Sequence, residues 1–231
     1  MKTNLIFITG ILSLIVQVVT GVFDFYVLKL NIPNTLSLLR NLLILEFVVQ
    51  IIEGSFYVWM ISNFAHIPNI TSARYYDWVI TTPTMLFTFC FYLLYLKSVE
   101  DNKPIGYGTG KNSFNTLVYN NLPNLIPIFI LNWIMLGFGY LGEIGKINHT
   151  NATLMGFIPF FMCFYMIYIH YANKTWIGTQ VFFWFFGIWS LYGVASLMSY
   201  KVKNMMYNIL DLFAKNFFGI YLAVVLFNQT L

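Results

Sequence analysis

Seven apolar stretches, each about 20 to 25 residues long, follow one another along the chain, and each is long enough to cross the hydrocarbon core of a bilayer as a helix. They lie at about 5–30, 36–62, 74–97, 120–142, 151–172, 177–200 and 203–228. In lipid a spanning segment must satisfy its backbone hydrogen bonds within itself, or within a closed barrel. The expectation is therefore an all-α membrane protein, a single seven-helix bundle over 1–231 with no soluble domain. Composition agrees: 59% of residues are hydrophobic and 9% charged, too little charge to clothe a water-soluble domain of this length. The joints carry turn and breaker residues, as in "NIPNT", "AHIPNIT", "EDNKPIGYGTGKN" and "GEIGKINHTN".

The first stretch is longer than a typical secretion-signal core and lacks a small-x-small cleavage site, so it is read as the first helix. Cys90 and Cys163 both fall inside apolar stretches and read as packing residues, not as a disulfide. The net charge of +4 comes from scattered residues, which points away from nucleic acid. With the N-terminus outside, the inner loops hold Lys29, Arg40, Lys97, Lys103, Lys111 and Lys174. The outer side then holds Lys2, Lys146 and Lys201, with Arg74 and Lys203 near the membrane edge. That bias favours an outside N-terminus. Asn-x-Thr triplets at Asn69, Asn148, Asn151, Asn173 and Asn228 fall on both sides and decide nothing.

The acids are in the wrong place for a passive bundle. Glu100, Asp101 and Glu143 read as loop residues, but Asp24, Glu46, Glu53, Asp77 and Asp211 lie within the helices, as does Lys215. A charge at the bilayer centre costs about 2.5–3.5 kcal/mol or more, so each such residue is a functional candidate. Ser13, Gln17, Thr20 and Asp24 share one face of the first helix. Glu46, Gln50, Glu53 and Tyr57 do so on the second, and Asn204, Asn208, Asp211 and Lys215 on the seventh. Arg74, Asp77 and Thr81 add a face of the third, within "RYYDWVITTP". Such stripes must face one another or a watery path. Arg74, three residues before Asp77, reads as the ion-pair partner that keeps this carboxylate charged.

"RYYDWVITTP" and "DLFAKNFFG", with "YVWM", "NWIMLGFG" and "WSLYG", resemble the corresponding segments of microbial rhodopsins, in order and over all seven helices. The resemblance implies all-trans retinal as cofactor, bound as a Schiff base to Lys215. Asp77 and Asp211 would be its counter-ions, Arg74 would complete that complex, and Asp77 would be the proton acceptor. Trp78, Thr82, Met85, Met135, Gly139, Trp189 and Tyr192 would line the retinal. Trp59, Trp133, Trp176 and Trp184 read as ordinary packing. Gly193 departs from the proline that pumps of the family usually carry on helix six. No metal site and no enzymatic activity are expected.

Within that family the residues leave channel and pump open, and favour the channel. The usual proton-donor position on helix three is Thr88, which does not titrate. The outer ends of helices six and seven offer Ser199, Lys201 and Lys203 instead of glutamates, and His66, His149 and His170 read as plain polar residues. Ser13, Glu46, Glu53, Lys203, Asn208 and Asp211 resemble short viral channel-forming rhodopsins, which implies a light-gated cation channel in a host-cell membrane. Glu53 with Asn208 and Ser13 would form a central constriction and Glu46 an inner one, with Arg74 and Lys203 closing the outer side. Proton transfer to Asp77 would open the path. Thr82 and Asn132 would bond helix three to helix four. The partners implied are the bilayer, monovalent cations and protons, calcium at the acidic lane, and further copies of the chain as a homo-oligomer. The alternative is a light-driven outward proton pump refilled from Glu46 or water, and a photosensor ranks below it.

Overall fold

The computed structural model describes residues 5–108, 110 and 113–230; Lys2 and Lys111 of the orientation argument lie outside them. The helices are α1 (Leu5–Leu28), α2 (Ser37–Ser62), α3 (Ile70–Glu100), α4 (Phe114–Glu143), α5 (His149–His170), α6 (Trp176–Ser196) and α7 (Tyr200–Thr230). Each one crosses at a predicted stretch. Consecutive helices pack side by side, and α7 closes the ring against α1, α2 and α6.

The ends differ from expectation where caps extend the helices into polar sequence. Asn69 accepts from Ser72 N, starting α3 before the predicted 74. Ser113 accepts from Thr116 N, starting α4 well before 120. Pro123 and Pro127 therefore lie inside α4 and end nothing. Pro83 lies inside α3 and cannot donate to Val79 O. Trp133 Nε1 donates to that carbonyl instead, at 3.0 Å, so the break in the ladder is repaired from α4. In the α3–α4 loop Gly106 has φ +72°, and its carbonyl takes a bond from Ser37 Oγ at 2.8 Å. An added Cβ there would stand 2.9 Å from Leu38 Cβ, so the loop lies flat on α2 only with glycine.

The polar stripes turn inward, while apolar side chains both fill the core and face outward. Val18, Val22, Ile51 and Val58 are exposed, while the polar stripes of α1, α2, α3 and α7 are all buried. Backbone satisfaction forces the helices, and the cost of charge in lipid turns their polar faces together. The helix α3 is the most enclosed, with 61% of its apolar span buried against 22% for α4 and α6. With α7, it meets both the pocket and the charged groups described below. The packing reading of Trp59, Trp133, Trp176 and Trp184 is corrected, since all four lie on the outer surface. Trp78 and Trp189 are buried. Both cysteines are free and buried.

Candidate functional site

The site is organised by a defect in α7. Residues Leu212–Asn216 form a π turn, a widening of the helical ladder found often at functional sites. Lys215 lies in it, and its side chain is buried among carboxylates. Its Nζ is 2.9 Å from Asp77 Oδ2, 3.4 Å from Glu53 Oε1 and 3.7 Å from Asp211 Oδ1.

The expected pairing of Arg74 with Asp77 is not what forms. Arg74 Nη1 lies 3.4 Å from Asp211 Oδ2, and Asp77 belongs to Lys215. Three residues of separation put Arg74 and Asp77 on one face. The long arginine nonetheless runs between α2 and α7, where its guanidinium bonds Asn208 Oδ1, Asn204 Oδ1 at 3.4 Å and Tyr57 OH at 3.4 Å. The rings of Phe56, Tyr57 and Tyr207 flank it at 5.6 to 5.8 Å. Arg74 is fully buried within the bundle. Asp211 is held from three sides, because Tyr57 OH and Tyr192 OH each donate to it at 2.7 Å. By contrast Asp77 Oδ1 and both Glu53 oxygens have no hydrogen-bond partner among the described residues. Two cations thus face three carboxyl groups, and electroneutrality in a buried site calls for one proton held among them.

Ser13 Oγ donates to Asn208 O at 3.2 Å, and Asn208 Nδ2 donates to Thr9 Oγ1 at 2.8 Å. Ser13 and Asn208 are therefore brought together. Glu53, expected with them, reaches Lys215 as a third carboxylate. Further along α2, Glu46 Oε1 accepts from Thr88 Oγ1 of α3, and Glu46 Oε2 has no partner among the described residues. Toward the other end Lys203 Nζ binds Glu143 Oε1 at 2.6 Å. His149 Nε2 lies 2.6 Å from Ser196 O, 3.5 Å from Lys203 Nζ and 3.6 Å from Glu143 Oε1. Two readings are corrected here. Glu143 is the last residue of α4 with its carboxylate buried, not a loop acid, and His149 is part of a cluster, not a plain polar residue. Neither has a periodic neighbour in sequence to mark it. Replacing Lys203 by Gln strands that carboxylate. We expect the variant to lose about 3–5 kcal/mol of stability, read as a lowered thermal midpoint. A change under about 1 kcal/mol would show the pair to be solvated.

Beside Lys215 opens a pocket of about 850 Å³, its mouth included, lined by Trp78, Thr82, Met85, Met135, Gly139, Trp189 and Tyr192. All seven expected lining residues meet there. Sequence reasoning missed Phe157 and Phe160 of α5, which lie in a run apolar on every side, and Tyr207 and Ala214 of α7, which stand beside the polar Asn208 and Lys215. Close approach shapes the walls, for an added Cβ on Gly139 would overlap the ring of Tyr75, and one on Gly193 the ring of Phe157. The departure at Gly193 therefore lets α5 press on α6. Asn132 Nδ2 donates to Thr82 Oγ1 at 2.8 Å, joining α3 to α4 at the pocket edge. An apolar, aromatic cavity with a primary amine in its wall and carboxylates behind the amine suits an apolar carbonyl compound held as a cationic imine.

A family model described as "Bacteriorhodopsin-like protein" matches residues 4–229. The crystal structure of viral rhodopsin OLPVRII superposes with a TM-score of 0.78 at 31% identity, covering 96% of this chain and 97% of that one. Blue light-absorbing proteorhodopsin from Med12 gives 0.73 at 18% identity, over 97% and 98%. Bromide-bound halorhodopsin from Halobacterium salinarum gives 0.73 at 13%, over 98% and 96%. The last two likenesses carry the fold alone. A comparison with curated proteins gave no match.

Proposed function

The chain belongs to the bacteriorhodopsin-like family, and on that premise we propose that it is a retinal-binding photoreceptor working as a light-gated cation channel. The family implies retinal, and the pocket's apolar walls and its Lys215 amine fit that chromophore. Lys215 would hold it, with Trp78, Met85, Met135 and Trp189 clamping its length. When bound, retinal supplies visible absorption and a light-driven change of shape on the Lys215 nitrogen.

The chain's own residues do the rest. Asp77 Oδ2, 2.9 Å from Lys215 Nζ, would receive a proton there, and its other oxygen has no partner among the described residues. Asp211 is fixed by Arg74, Tyr57 and Tyr192, and so holds the second negative charge in place. A change of charge on the Asp77–Lys215 pair frees Glu53, whose only ionic contact among the described residues is Lys215.

The observation that carries the channel reading is the joined polar faces of α1, α2, α3 and α7. They run from Lys203 and Glu143 through Arg74, Asn208 and Glu53 to Glu46 and Asp24, all buried. Carboxylates with unpartnered oxygens along such a lane attract cations and the water that carries them. The N-terminus is outside in this reading, so Lys203 lies toward the outer face. The viral likeness supports a host-cell membrane as the site of action.

Whole-cell photocurrent against voltage and external cation tests the reading. We expect a current that reverses sign with voltage and whose reversal potential follows sodium or potassium. A current of fixed direction carried only by protons establishes the second reading, an outward proton pump. One observation favours that alternative: Glu46 sits against Thr88, so α2 supplies a carboxylate where α3 has none.

A further inference from the structure

Beyond Lys215, between α1, α2 and the last half of α7, oxygen atoms are crowded in a way that protein donors do not satisfy. Thr20 Oγ1 has one proton and three acceptors around it: Gln17 O at 3.1 Å, Asn216 Oδ1 at 3.2 Å and Gln50 Oε1 at 3.5 Å. It can bond only one of them well. Gln50 Nε2 donates to Asp24 Oδ2 at 2.6 Å. Asp24 Oδ1 and Asn216 Nδ2 have no partner among the described residues, though both side chains are fully buried. Turning the Asn216 amide round exchanges one unpartnered atom for another and leaves the surplus. Buried polar groups in this condition are costly unless something else meets them.

The space is kept open by a glycine. Gly219 lies one turn after Asn216, and an added Cβ there would come within 2.6 Å of Gln50 Nε2 and 3.2 Å of Asp24 Oδ2. One carboxylate among neutral amide and hydroxyl oxygens is a donor set for a hard cation of low charge. Calcium and magnesium sites gather more negative ligands, and no group of three acidic, histidine or cysteine side chains placed to hold a metal ion is found among the described residues. The nearest further acid on α2, Glu46, is occupied by Thr88.

We propose that Thr20, Asp24, Gln50 and Asn216 form a binding site for a single sodium-sized monovalent cation at the inner end of the polar lane. The Gln50 amide turns its oxygen inward when the ion enters, since Asp24 then no longer needs the donor. The site rests on the cation-channel reading for its role, as the last station of the ion path, but not for its chemistry.

The test uses the purified full-length pigment in the dark, with sodium chloride against choline chloride at equal ionic strength. Sodium should raise the thermal midpoint by about 2–4 °C and broaden the sodium-23 resonance. Asp24→Asn and Gly219→Ala should lose both effects, whereas Glu100→Gln, an exposed acid at the end of α3, should keep them. Gly219→Ala retains every ligand and only fills the cradle, so it carries the test if Asp24→Asn does not fold. No difference between sodium and choline in the unaltered protein overturns the site, as does a sodium effect that survives in the variants. A sodium-carrying photocurrent without the dark sodium effect removes the site and leaves the channel. A proton-only photocurrent with the effect intact removes the channel and leaves the site.

Discussion

Replacing Glu53 by Leu leaves a coloured protein whose sodium photocurrent falls by about five- to hundredfold. Glu53 is the carboxyl of the Lys215 cluster with no hydrogen-bond partner among the described residues, while Asp77 and Asp211 stay within 2.9 and 3.7 Å of the amine. The two aspartates then face the two cations, Lys215 and Arg74, in balance, so the pigment has what it needs. Along the lane the loss is larger. A cation passing Lys215 and Arg74 needs a compensating oxygen, and withdrawing one such ligand costs about 1–3 kcal/mol at the narrowest point, which is the stated range in rate. Absorption spectra and photocurrents of the same cells decide it. A colourless variant would make Glu53 a structural counter-ion, and an unchanged current would place the ion path elsewhere.

The second large effect falls on stability. Arg74→Gln removes the guanidinium that meets Asp211, Asn204, Asn208 and Tyr57 and leaves the buried Asp211 carboxylate to the more distant Lys215, at 3.7 Å. Breaking a buried pair from one side costs about 3–5 kcal/mol, which for a chain of this length lowers the thermal midpoint by about 10 °C. Adding Asp211→Asn should recover part of that loss, because the stranded charge goes with it. If the double variant falls by the sum of the single ones, the two residues are not coupled and the pairing drawn from the structure is wrong.

Much of the fold and part of the site were legible in the chain. The pocket lining was readable because its residues sit in motifs around Trp78, Trp189 and Lys215 that resemble a known family. The stripes on α1, α2 and α7 were readable because a helix repeats every 3.6 residues, so spacings of four, seven and eleven fix a face without knowledge of any partner. Helix ends were less so. Asn69 and Ser113 extend α3 and α4 into segments whose polarity reads as loop, and Trp133 relieves the break that Pro83 makes.

Sequence by itself determined that seven helices cross a membrane and which face of each is polar, since hydropathy and helical period are local properties that lipid makes decisive. Only the tertiary structure decided who meets whom. Arg74 turns to Asp211 instead of Asp77, Glu143 and His149 gather at Lys203, and Asn216 joins Thr20. A face names a direction, whereas a partner depends on how neighbouring helices are rotated, on the reach of a long side chain, and on local breaks such as the π turn at Lys215. Those are set by packing between residues far apart in the chain, and no spacing within one helix encodes them.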